Sequence, residues 1–223
     1  MAGALALGPL SLDVAHEVSA VLARSADPAL GAVAGSGARD GQWLNLQWVL
    51  SDRGRVRAQH RFDRLQAVWS PVEDVEVSIG RQAVSWGTTL LLTPADPFLP
   101  FRPEDPFREF RSGIDAARLR FYPGPLSEID LVIRPSRLGG DEELTALARG
   151  LTAWGSWEVS GWGGVLYGDG AAAVAAAAGV GEWAARLEAV VREVEGRAVW
   201  RGAVGVDRTL ELGGREARIV LEL

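Results

Sequence analysis

Apolar and polar residues alternate along most of this chain. At 75–79, Val75, Val77 and Ile79 alternate with Glu76 and Ser78. The same period of two recurs at 10–17, 44–50, 64–69, 117–121, 129–134 and 216–223. Turn sequences such as SDRG at 51–54 and YPGPLS at 122–127 separate the runs. This pattern is typical of β-strands with one apolar and one polar face, and it predicts an all-β, antiparallel protein of about ten to twelve strands.

The segment from Ala171 to Gly196 is ambiguous. Its Ala, Leu, Glu and Arg residues favour a helix. Gly179 and Gly181 interrupt that pattern, however, and from Ala185 onward apolar and charged residues alternate. We interpret the segment as two strands, with a helix packed on a sheet as the alternative.

The direction in which the polar faces point decides between two classes of protein. A soluble sandwich buries its apolar faces, whereas a membrane barrel turns them towards lipid and lines its lumen with polar residues. Many predicted strands are about 9–13 residues long, as a tilted strand crossing a bilayer needs to be. Five tryptophans fall near predicted strand ends, where an aromatic girdle would lie: Trp48, Trp69, Trp86, Trp157 and Trp200. We therefore predict one transmembrane β-barrel domain over 1–223; the alternative is a soluble all-β or α+β binding domain.

Composition narrows the possible functions. The chain has no Cys, which excludes disulfides and thiolate metal sites. All basic residues are Arg, and the net charge of −6 argues against a nucleic-acid partner. No apolar run reaches the roughly 20 residues of a membrane-spanning helix. The N-terminus lacks the features of a secretory signal, as expected of a cytoplasmic protein or of a chain that begins after processing.

Residues 65–135 resemble a segment of porin-like outer-membrane β-barrels of Gram-negative bacteria, including alginate-export-type relatives. The elements that carry the resemblance are RLQAVW at 64–69, GRQAVSWG at 80–87, TPADPFLPF at 93–101, PEDPFREFRSGIDAARL at 103–119 and GPLSEIDLVIRP at 124–135. The resemblance implies a barrel in the cell outer membrane, with the lipid bilayer as partner and no fixed substrate. Family members carry an export signal and usually end on an aromatic residue, so this chain is expected to be a fragment with an incomplete barrel.

A long, proline-broken connection at 88–113 carries the candidate site. We predict that it narrows the pore of a channel for small polar or anionic solutes, because charges of both signs on a pinned loop can select permeants. The candidate residues are Arg81, Gln82, Arg102, Glu104, Asp105, Arg108, Arg111, Asp115, Arg118 and Arg120. The competing interpretation is that these charges only hydrate an extracellular loop. The connections at 24–41 and 88–113 would fall on opposite sides of the sheet, so either one strand of the 42–69 hairpin lies outside the wall or the second connection folds inside.

Enzyme chemistry has weak support. Ser85, His60 and Asp63 are the residues for a catalytic triad, but no G-x-S-x-G elbow accompanies them. Paired acids such as Glu142 and Glu143 lie in predicted turns. No cluster has metal-ligand spacing and no glycine-rich loop fits a phosphate, so we expect no enzyme activity, no metal and no cofactor.

Overall fold

Strands form all the regular structure of the described residues, which in this computed structural model are 2–22, 41–53, 56–98, 113–138 and 141–223. The strands are β1 (Ala2–Leu7), β2 (Leu10–Leu22), β3 (Gln47–Arg53), β4 (Val56–Val72), β5 (Val75–Gln82), β6 (Ile114–Gly124), β7 (Ser127–Leu138), β8 (Asp141–Trp154), β9 (Trp157–Leu166), β10 (Asp169–Val180), β11 (Trp183–Val194), β12 (Arg197–Leu212) and β13 (Arg215–Glu222). In these ranges no helix has the length and apolar character to span a membrane. The all-β prediction is confirmed, and the segment at 171–196 forms β10 and β11, as interpreted.

The strands form one antiparallel sheet in the order β1-β2-β4-β5-β6-β7-β8-β9-β10-β11-β12-β13, with β3 paired to β4 off this path. The described part of the chain forms thirteen strands, more than the ten to twelve predicted. One edge of β4 pairs with β2, whereas the other pairs with β3 along 56–61 and with β5 along 65–72. The short strand β3 therefore occupies the part of this edge that β5 leaves open.

The chain divides into two compact units. Unit 1 consists of Met1–Val84, Asp105–Leu119 and Ile133–Leu144, and unit 2 of Ser85–Glu104, Arg120–Val132 and Thr145–Leu223. Strands β6, β7 and β8 contribute residues to both units.

In each unit, charged side chains are buried and large apolar side chains are exposed. In unit 1 Arg134 on β7 is 5% exposed, whereas the adjacent Ile133 is 54% exposed. In unit 2 Asp130 is 0% exposed, whereas Trp154 and Trp200 are 79% and 72% exposed. We call the sheet surface with the buried charges the polar face and the opposite surface the apolar face. We call this distribution, with charged residues buried and large apolar residues exposed, the inverted polarity of the sheet. That the apolar face contacts lipid stays a prediction.

Gly80 in β5 is needed for its backbone conformation and for space. Its φ is 120°, in a region that residues with a side chain rarely adopt. A Cβ at this position would overlap the carbonyl oxygen of Leu65 on β4. Glycine therefore lets β5 approach β4 closely just before Arg81 and Gln82, the first candidate residues.

Candidate functional site

After β5 the chain leaves the sheet, and residues 83–98 form an irregular segment that we call the inner segment. Trp86 is 1% exposed, and its ring lies 4.8 Å from that of Phe98 and 6.3 Å from that of Trp162. Trp86 Nε1 donates a hydrogen bond of 2.8 Å to Asp130, and Trp162 Nε1 donates one of 2.7 Å to the carbonyl oxygen of Ala95. Burying an indole while satisfying its N–H stabilises a fixed position. The two tryptophans therefore hold the inner segment in the buried part of unit 2.

The placement of Trp86 corrects the predicted tryptophan girdle. The other four predicted girdle residues, Trp48, Trp69, Trp157 and Trp200, lie in strands and are exposed. Trp86 lies outside the strands and is fully enclosed. The sequence prediction was wrong here because a tryptophan that follows a strand has the same local pattern whether the chain then stays at the surface or folds back.

Asp96 closes the inner segment on itself. Its Oδ2 accepts hydrogen bonds from Ser85 Oγ at 2.7 Å, from the Trp86 amide at 3.1 Å and from the Gly87 amide at 3.2 Å. Its Oδ1 accepts one from the Phe98 amide at 3.0 Å. Aspartate commonly satisfies backbone amides in turns in this way. One buried carboxylate therefore joins the two ends of the inner segment.

Glu188 on β11 joins the inner segment to the sheet. Its Oε1 accepts the amides of Thr88 and Thr89, the latter at 2.8 Å, and its Oε2 accepts the amide of Ala95 at 2.8 Å. Glu188 is buried. Because hydrogen bonds to a carboxylate are stronger than those between neutral groups, this side chain is a main attachment point of the inner segment.

Glu222 on β13 provides a second attachment. It accepts the amides of Leu90 at 2.6 Å, Leu91 at 2.8 Å and Leu92 at 2.7 Å. Gly205 on β12 pairs with Glu222, and a Cβ at Gly205 would lie 2.8 Å from the Cγ of Glu222. The glycine therefore leaves the space that the glutamate side chain occupies.

Unit 1 holds the candidate residues Arg81, Gln82 and Asp115. Arg81 Nε lies 2.8 Å from Asp115 Oδ1 and Arg81 Nη2 lies 2.9 Å from Oδ2, so the pair is bidentate. Arg81 also donates to the carbonyl oxygens of Leu44 at 2.6 Å and Phe62 at 3.3 Å. Asp115 Oδ2 further accepts the amides of residues 43 and 44. Gln82 Nε2 donates to the carbonyl oxygen of residue 116 at 3.0 Å. This buried network fixes the end of β5, from which the inner segment departs.

The remaining candidate residues fall into two groups. Arg118 and Arg120 lie on β6 and are half-buried, and the Arg120 guanidinium is 5.9 Å from the centre of the Tyr122 ring. Five candidates lie outside the described residues: Arg102, Glu104, Asp105, Arg108 and Arg111. The role of these five in a constriction stays a prediction.

The sequence analysis missed Glu188, Glu222, Asp96 and Trp162. Both glutamates occur in alternating runs, where nothing distinguishes them from other residues of the polar face. Asp96 offered a signal, since it lies between prolines at 94 and 97 in a segment that is not a strand. Turn prolines beside an aspartate favour a side-chain cap of nearby amides.

Arginines of the polar face pair with acids. Asp207 on β12 contacts Arg186 and also Arg218, the latter at 2.6 Å. Arg61 on β4 contacts Glu17 and also Asp63, the latter at 3.0 Å. These ion pairs offset part of the positive charge on which the predicted preference for anions rested.

Groups considered for catalysis have other contacts. Ser85 Oγ bonds Asp96, whereas the His60 ring stacks on Trp48 with 5.8 Å between ring centres and lies 5.3 Å from His16. Across the described ranges no group of three or more His, Cys, Asp or Glu side chains is arranged to hold a metal ion.

Comparisons with protein-family models, curated proteins and solved structures find no match to this chain.

Proposed function

We propose that this protein is a porin-like channel of the outer membrane, in which the sheet closes into a barrel and small polar or anionic solutes pass through its lumen. The observation that carries the proposal is the inverted polarity of the sheet. Buried Asp130, Arg134, Glu188 and Asp207 lie on the polar face, whereas leucines, valines and tryptophans cover the apolar face. This is the distribution of a membrane barrel, whose outer surface contacts hydrocarbon and whose interior contacts water.

The spacing of exposed tryptophans in unit 2 supports the proposal. Trp154 and Trp157 flank the turn between β8 and β9. Trp183 follows the turn between β10 and β11, which lies at the same end of the strands. Trp200 pairs with Val191, which lies eight residues along β11 from Trp183. At roughly 3.3 Å per residue this separation is about 26 Å along the strand. With the strand tilt of about 35–45° found in membrane barrels it spans a height of roughly 19–22 Å, close to the apolar band of about 25 Å with aromatic borders that such barrels have.

The inner segment supports the narrowing of the pore. Glu188 and Glu222 attach it to the polar face of β11 and β13, the surface that lines the lumen in this proposal. The ion pairs of Asp207 and Arg61 leave a wall with charges of both signs. Such a wall suits small polar solutes, with any preference for anions set by residues of the 88–113 connection.

Conductance in planar lipid bilayers tests the proposal. The purified chain is expected to require detergent, to extract with membranes and, after addition to a bilayer, to give discrete current steps. Purification from the soluble fraction without detergent would favour the alternative of a soluble binding domain. Stable insertion without current would instead indicate a barrel with a structural or adhesive role.

A further inference from the structure

The tip of the inner segment is apolar although it lies on the polar face. Leu90, Leu91 and Leu92 are 37%, 55% and 45% exposed. Their amides bond Glu222, whose side chain passes over Gly205. The backbone of the tip is thus held by a carboxylate while its three leucine side chains remain accessible. The hydrogen bonds to Glu222 use backbone amides. They therefore do not explain why three consecutive residues are leucine.

We infer that the leucine tip, Leu90–Leu92, is a hydrophobic gate of the pore. The inference rests on the proposed channel function and specifies what passes. An apolar constriction disfavours a continuous column of water and therefore resists strongly hydrated ions. Uncharged polar organic solutes give up their hydration at lower cost and are the class that such a gate admits. The leucine tip selects solutes by the cost of removing their hydration shell. The paired charges of the wall keep the rest of the lumen hydrated.

Glu222 determines the position of the gate. All three tip amides bond this one side chain, and Glu188 holds the residues on either side of the tip through the amides of Thr89 and Ala95. A methyl group at Gly205 would displace the Glu222 side chain from its path. A displaced tip no longer narrows the lumen at the same place, so Gly205→Ala is expected to raise ion conductance without altering any leucine.

Conductance of leucine variants tests the gate. Replacing Leu90, Leu91 and Leu92 together by Ser is expected to raise single-channel conductance in potassium chloride at least about threefold, because serine lowers the barrier to hydrated ions. The matched control replaces the same three residues by Val, which keeps an apolar tip and is expected to keep conductance within about twofold of the original chain. Uptake of an uncharged sugar into vesicles is expected to change little in either variant.

The outcomes separate the gate from the channel. If the original chain conducts and the Ser and Val variants conduct equally, the gate is refuted while the channel stands. If every variant inserts and none conducts, the channel function is refuted, and the gate with it. A silent original chain with a conducting Ser variant supports the gate, because the leucines then block ions, and counts against ion conduction by the original chain.

Accessibility gives a second, independent measurement. The chain contains no Cys, so a single introduced thiol reports one position. In the inserted protein, Leu91→Cys is expected to react with a charged, water-soluble maleimide, whereas Val174→Cys on the apolar face of β10 is expected to be protected. Protection of the Leu91→Cys thiol would place the tip away from water and overturn the gate.

Discussion

Removing the carboxylate of Glu188 tests how the inner segment is held. Glu188→Ala deprives the amides of Thr88, Thr89 and Ala95 of their acceptor. The bonds to Thr89 and Ala95 are buried, and a buried donor without a partner costs about 1–3 kcal/mol. The free energy of unfolding is therefore expected to fall by about 2–6 kcal/mol. Glu188→Gln keeps an oxygen for Thr88 and Thr89 but turns its amide group towards Ala95, so about 1–3 kcal/mol is expected for one lost bond.

Urea unfolding in lipid vesicles, followed by tryptophan fluorescence, measures both changes. The expected order of stability is the original chain, then Glu188→Gln, then Glu188→Ala. The matched control is Glu216→Ala, since Glu216 is an exposed glutamate on β13 and surface changes usually stay within about 0.5 kcal/mol. If Glu188→Ala stays within about 1 kcal/mol of the original chain, these hydrogen bonds do not hold the inner segment, and the inference of a fixed constriction loses its basis.

Three further substitutions give distinct outcomes. Val174→Arg on the apolar face is expected to destabilise the vesicle-inserted protein by about 2–4 kcal/mol; an effect below about 0.5 kcal/mol, as at a water-exposed site, would contradict the membrane proposal. Asp115→Ala leaves Arg81 buried without its ion-pair partner, and a loss of about 3–5 kcal/mol in urea unfolding is expected; a neutral result would mean that water reaches the guanidinium. Gly80→Ala is expected to lower the thermal unfolding midpoint markedly, whereas Gly150→Ala, where a Cβ would meet nothing within 4 Å, is expected to leave it unchanged; equal midpoints would show that β5 shifts to accommodate the methyl group.

The sequence by itself determined the strands and the division of each strand into an apolar and a polar face. Alternation with a period of two is a local property: each residue pair such as Val75 and Glu76 is assigned to opposite faces by the geometry of the strand alone. The same rule assigned 171–196 to strands despite its helix-favouring composition, because Gly179 and Gly181 weaken a helix and apolar and charged residues alternate from Ala185 onward.

Only the tertiary structure decided which charges meet the inner segment. The Thr88 amide and Glu188 are 100 positions apart, and Leu90 and Glu222 are 132 apart. Their contact depends on the register of every strand between them, and a shift of one residue in any pairing would turn a side chain to the opposite face. Trp86 was misplaced for the same reason, since its burial follows from the folding back of residues 83–98 rather than from its neighbours in the chain. The local pattern of apolar and polar residues assigns a residue to one face of its strand. Which residue it contacts depends on how the long connections fold back and on the register of every strand pair between the two residues.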